Sequence, residues 1–333
     1  MSREAWQAEC TARNFPNGDG PFLAAGFLEE ESAWDFFANS GYRNFDTFIA
    51  KRRQAVEALD EELKLVVPQV QSMVYAGMKQ AIAQGYVPPA ALGRVETAFT
   101  QTAIQAVDPA VFKDGASLAH YRQRTDTMVI SSEAIDYDLP ETIAHELGGH
   151  KISGGTFVTT RGCKMLRTRR GFVNDTAKTF SSAGRHYGLD EAVQQHLTQA
   201  YINGQIDVLN PDDRDDNDAS GGYESSYYQH RKLLAAFISR SGGIIDLATI
   251  TRASFEDTEA TGIESANRRA MTQQALAAYG PGAYRKLSLL FDAIDIYGDV
   301  TEELTQYIQP PELGQDGSVQ SPGTIQVHPL FQY

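Results

Sequence analysis

The sequence predicts an α+β protein in which a small β region is set between two runs of helix. Three observations carry this. Apolar residues recur at spacings of three and four between about Arg52 and Ala106. Between Thr127 and Phe172, short β-prone runs replace that period and are punctuated by Gly-Gly and Arg-Gly. After Asn174 the helical period returns.

The first 50 residues show no clean period and read as an irregular lead-in with a short helix near Glu29–Ala38. Val56, Leu59, Leu63 and Val66 form the first helical stripe, which Pro68 is expected to interrupt. Val70, Met73, Val74, Gly77, Ala81 and Ile82 resume it until Gly85. Pro88-Pro89 opens a third segment with Leu92, Val95, Phe99, Thr102 and Ala106 on one face. These stripes read as core.

Thr127–Ser132 reads as a strand. Asp138 can cap a following helix, Pro140 suits its first turn and Glu141 completes a capping box. Gly154-Gly155 ends that helix, and Thr156–Thr160 with Cys163–Phe172 form a hairpin around Arg161-Gly162. Further helices are expected at 189–203, 224–240, 244–252, 264–279 and 282–297, followed by an extended tail at 309–333. The expected organisation is an α/β lobe at 1–172, a helical lobe at 173–308 with an active cleft between the two, and the tail.

The 333 residues carry 29 Lys and Arg against 43 Asp and Glu, a net charge of −14. Nucleic-acid and anionic-membrane binders need a basic surface, so neither class is expected. No apolar run is long enough to span a bilayer, and the N-terminus lacks the apolar core of a signal peptide. The default location is therefore the cytoplasm, with signal-less export left open. Cys10 and Cys163 are too few for a disulfide framework; they read as free thiols, with a single pair as the alternative.

The segment that carries chemistry is Glu141-Thr-Ile-Ala-His145-Glu146-Leu-Gly-Gly-His150. A His-Glu pair followed by a second His on a helix is a zinc-site pattern, usually H-E-x-x-H. Here the spacing is H-E-x-x-x-H. In a regular helix residues five apart lie about 140° apart and cannot share one ion. A one-residue bulge at Gly148-Gly149 would bring His150 round beside His145. The alternative is that the two glycines stop the helix and leave His150 off it. A catalytic zinc takes three protein ligands and one open position. Glu191, expected in the first turn of the 189–203 helix, offers the third, or is simply a favourable helix N-terminal acid.

Over roughly 126–240 the chain resembles the gluzincin-type zinc metallopeptidases, and its spaced motif is similar to the H-E-x-x-G-H variant of the dipeptidyl peptidase III family. The resemblance implies a zincin-like fold, one Zn²⁺ held by His145, His150 and Glu191, and Glu146 as general base. It also implies a Tyr or His that stabilises the transition state. Tyr223, Tyr227, Tyr228 and His230 are the candidates, and Tyr227 is favoured because it lies one turn before Arg231. One departure stands out: Gln195 occupies the place, one turn after the third ligand, where an acid is usual.

Three further features are weighed. Thr127–Ser132 is either an edge strand that pairs with a peptide substrate or an internal strand. Lys151, Arg161, Lys164, Arg167, Arg169 and Arg170 make a basic hairpin that would favour an acidic substrate, or a solvated one that resists aggregation. Asp213, Asp215, Asn217 and Glu224 match ligand positions of a calcium loop, although Asp218 stands where Gly belongs; the alternative is an acidic linker. The expected function is peptide hydrolysis. The rivals are a zincin-fold protein that binds without turnover and a helical interaction module with a structural Ca²⁺.

Overall fold

The structure is a computed structural model that describes residues 44–109, 118–122, 126–161, 163–170, 173–176, 187–204, 227–255, 266–297 and 301–327, with residues 41 and 112; over 154–176 it describes the backbone alone. It is a mixed α and β chain in which helices predominate and the sheets are small. It divides into two compact units, Met1–Met73 with Glu96–Gly148, and Val74–Val95 with Gly149–Tyr333. The expected helix near Glu29–Ala38 lies outside the described residues.

The first helix, α1, runs unbroken from Phe45 to Ala83 with Pro68 inside it. The expected interruption does not occur. An interior proline costs a helix about 3 kcal/mol. Val56, Leu59, Leu63, Val66, Val70, Val74 and Met78 are all buried along one continuous stripe. At about 1.5–3 kcal/mol for each such side chain, burial outweighs the proline.

Helix α2 spans Gly93–Gln101 and stops short of expectation. Thr102 and Ala106 do not continue its face, because Ala103–Val107 is strand β1. Its alternating exposure, ending on buried Val107, is the period of a strand that falls on positions also compatible with a helix. Strands β2 (Ala119–Arg122) and β3 (Thr127–Ser131) complete a sheet of order β1–β3–β2, with β1 parallel and β2 antiparallel to β3. Thr127–Ser131 is thus the central strand, buried from Met128 onward. Its edge-strand reading is overturned and the internal one holds; both its sides are already paired. In the same unit the fully buried Asp108 carboxylate accepts from Nε and Nη2 of Arg52, which also lies over the Phe48 ring. A two-pronged guanidinium offsets the cost of burying that charge.

After β3 a 3-10 turn at Ser132–Asp136 leads into helix α3, Leu139–Ile143, which continues as a π-helix over Ala144–Lys151. The expected hairpin follows as β4 (Gly154–Arg161) and β5 (Cys163–Arg170), and β6 (Val173–Thr176) adds a third antiparallel strand. The helices of the second unit are α4 (Tyr187–Asn203), α5 (Tyr228–Ser239), α6 (Leu247–Phe255), α7 (Ala266–Tyr279), α8 (Ala283–Tyr297) and α9 (Thr301–Thr305). Helix α4 packs on α5 and α8. Within the expected extended tail of 309–333, residues 309–325 pair with one another and with Ile308 as two small ladders, with Ile308 and Ile325 buried and Arg240 donating to the carbonyls of Thr305 and Ile308. Among the described residues no helix is long and apolar enough to cross a membrane.

Gly77 marks a close approach of α1 to α4. A Cβ there would lie 2.5 Å from Cα of Tyr201. Removing a glycine from a helix interior normally gains about 0.5–1 kcal/mol. Forced overpacking costs about 1–3 kcal/mol. Gly77→Ala should therefore destabilise the protein in urea denaturation, and a rise in midpoint would contradict this packing.

Candidate metal centre

The helix that carries the motif begins as the sequence indicates: the Asp138 side chain accepts from the Glu141 N–H at 3.0 Å, and Pro140 lies in the first turn. The expected one-residue bulge is instead a π-helix of eight residues, Ala144–Lys151. Its i→i+5 hydrogen bonds bring residues five apart to the same side. His145 and His150 have that spacing. The glycines do not stop the helix. Gly149 serves a close approach, since a Cβ on it would meet Gln194 Oε1 at 3.0 Å and Gln194 Cβ at 3.2 Å on α4.

The structure brings the three expected ligands together. His145, His150 and Glu191 each offer a donor atom, all within 4.8 Å of one another. They are buried, at 7%, 1% and 1% exposure. His150 Nε2 and Glu191 Oε2 stand 3.0 Å apart. Ligands about 2.0–2.1 Å from a tetrahedral zinc are separated by roughly 3.3 Å, so this pair already has nearly the required spacing. Two imidazoles and a carboxylate are also the donor types zinc takes. Glu146 is buried too, and its Oε2 accepts from the Tyr121 N–H at 2.7 Å.

Asp190 is the residue that sequence reasoning missed. Helix α4 begins at Tyr187, two residues early, so Asp190 and not Glu191 is the acid of its first turn. The Asp190 side chain is fully buried, with Oδ2 3.3 Å from His150 Nδ1. A carboxylate at the outer nitrogen of a ligating imidazole fixes its orientation and raises its basicity. Gln194 Nε2 lies 3.4 Å from Asp190 Oδ1 and 3.3 Å from Ser153 Oγ, and Ser153 Oγ donates to the His150 carbonyl at 3.3 Å. Gln195 is buried as well. The acid absent one turn after Glu191 is thus matched by one immediately before it. The Asp190-Glu191 adjacency was the available signal.

Glu146, Asp190 and Glu191 place three carboxylates in buried positions. Burial of that much negative charge is expensive unless cations offset it. A divalent ion between the histidines and Glu191 would do so, and in this sense the residues fit a metal.

Tyr227 sits at the N-cap of α5 with φ +79° and ψ 14°, a left-handed conformation rare for an aromatic residue, and makes no side-chain cap. Its ring meets His230 edge-on at 5.4 Å. His230 is buried, stacked on Phe291 at 5.8 Å, and its Cδ2 is 3.0 Å from where a Cβ of Gly188 would stand. His230 therefore lies against the start of α4, three residues from Glu191, with Tyr227 one ring away. Tyr228 is half-buried on α5. Tyr223 and the calcium-loop residues Asp213, Asp215, Asn217 and Glu224 lie outside the described residues, as do the side chains of the basic hairpin beyond Lys151.

His196, also on α4, has a different character. Burial, with a smaller contribution from the Arg231 charge, pushes its imidazole down to about 3. It stays neutral in the folded protein and reads as core. Comparison with protein-family models, with curated proteins and with solved structures gives no match.

Two outcomes follow from this geometry. Asp190→Ala should weaken divalent-metal affinity by about 10–100-fold in chelator competition, and unchanged affinity would remove Asp190 from the site. For His196 the folded pKa is depressed, so the unfolded chain binds the extra proton. Its contribution is complete above pH 6.5 and is lost as pH falls towards 3, at up to about 1.4 kcal/mol per pH unit. His196→Gln should flatten the acid side of the stability profile, measured by urea denaturation between pH 7 and 4. A profile identical to wild type would contradict the neutral, buried imidazole.

Proposed function

We propose that this chain is a zinc-dependent metallopeptidase with a zincin-like arrangement of strand, metal helix and ligand helix. The carrying observation is the π-helix of Ala144–Lys151, with His145 and His150 brought together beside Glu191 and Glu146 between them in sequence. His145, His150 and Glu191 would hold the ion, leaving a fourth position open. When bound, Zn²⁺ would lower the pKa of a bound water to about 7 and polarise the substrate carbonyl.

The chain's own residues do the rest. Glu146, as general base, takes a proton from the attacking water and returns it to the leaving amine. Asp190 steadies His150. A donor from the start of α5 meets the developing oxyanion, a role commonly worth about 2.7–4 kcal/mol. Tyr227, Tyr228 and His230 are the described candidates, of which Tyr227 and His230 have specific observations behind them. The strained backbone of Tyr227 supports it, because strain is retained where function requires it. The position of His230 against Gly188 supports the histidine. The substrate is a peptide or protein, and the basic hairpin sequence favours an acidic one. Gln195 supports a second reading, a metal-binding protein without turnover.

Purified protein should contain about one zinc per chain, and Glu146→Gln should retain the zinc but hydrolyse a peptide library at least about 100-fold more slowly. Equal hydrolysis by both forms would refute the peptidase reading. Retained zinc with no wild-type hydrolysis would favour the binding protein.

A further inference from the structure

Strand β2 was not visible in the sequence, and it reaches the chemistry. The ladder fixes the direction of each backbone group on it. The Ser131 N–H donates to the Leu118 carbonyl at 2.8 Å. Antiparallel pairs alternate between bonded and non-bonded. With Ser131 opposite Leu118, the pairs His120–Val129 and Arg122–Thr127 are the bonded ones, while Ala119 and Tyr121 turn their N–H and C=O away from β3. Because β2 is an edge of the sheet, those groups face outward from it.

An outward N–H on an edge strand ordinarily meets water or another chain. That of Tyr121 is buried and donates to Glu146 Oε2 at 2.7 Å. The Tyr121 ring is itself buried, and its hydroxyl donates to Asp126 Oδ1 at 2.9 Å; Thr102 Oγ1 lies 3.2 Å from the same oxygen. The side chain thus anchors the residue on one side while the backbone presents a fixed donor on the other. A short bond from a neutral N–H to an ionised carboxylate is stronger than a neutral pair and leaves the acceptor little rotational freedom.

We propose that the backbone N–H of Tyr121 positions the Glu146 carboxylate, so that the edge strand and the metal helix together set the aim of the base. The role of Glu146 as base rests on the peptidase reading, whereas the positioning contact does not.

Two measurements on the full-length, zinc-loaded protein test it. In amide hydrogen exchange followed by NMR, Glu146→Ala should speed exchange at Tyr121 by about tenfold or more and leave Ser131, whose N–H is in the ladder, unchanged. Replacing Tyr121 by its α-hydroxy analogue converts that amide to an ester, which deletes the N–H and keeps the ring. It should lower kcat about tenfold or more with KM within about twofold and zinc content unchanged, while the same replacement at Ala119 leaves kcat within about twofold. Exchange at Tyr121 that ignores Glu146→Ala, or an ester at 121 that leaves kcat intact, overturns the proposal. If wild type hydrolyses no peptide, the peptidase reading fails and the exchange comparison alone decides this one.

Discussion

Everything at the candidate centre depends on the backbone of Ala144–Lys151 closing as a π-helix. In an α-helix the two histidines would point about 140° apart and the motif would be chemically void. The wider turn packs its own backbone less well, so the surroundings must hold it. Ala144 and Leu147 are fully buried along it, as is Ile152 just after it, and the missing side chain at Gly149 lets Gln194 of α4 come close. The same approach carries Glu191 to within 3.0 Å of His150. A side chain at residue 149 would crowd Gln194 on α4, three residues from Glu191.

The charge arithmetic acquires a local meaning here. A net charge of −14 describes the surface as a whole. Among the described residues Asp108, Glu146, Asp190 and Glu191 are buried, and Glu146 accepts from the Tyr121 N–H. Asp108 is answered by the guanidinium of Arg52, a permanent cation supplied by the sequence. Asp190 and Glu191 both stand against the His150 imidazole, at 3.3 Å from Nδ1 and 3.0 Å from Nε2. Two carboxylates and two imidazoles in one buried cluster make a donor set that suits a divalent ion.

Much of this was legible in the sequence, and the failures have physical causes. Helices α6 to α8 alternate buried and more exposed positions and follow from their apolar period, whereas α4 is buried on all sides from Gly188 to Thr198. The proximity of His145, His150 and Glu191 was legible because a metal site restricts donor types and spacing. The π-helix was legible only as a need for extra turn at Gly148-Gly149, since its extent depends on packing against α4. Pro68 misled because local propensity was weighed without the long buried stripe on either side. Residues Ala103–Val107 misled because five residues of mixed exposure satisfy both periods. Strand β2, four residues long, offers too little alternation to be read at all. Asp190 was overlooked because an acid in a first helical turn looks like a helix-dipole acid until His150 is placed against it.

The central claim is that two histidines five residues apart bind one ion with Glu191. X-ray absorption at the zinc edge, on protein loaded with one equivalent of zinc, tests it most directly. The account predicts four light-atom neighbours at about 2.0–2.1 Å with the outer-shell signature of two imidazoles. A single imidazole, a sulfur neighbour at about 2.3 Å, or a six-coordinate shell of oxygen would contradict it.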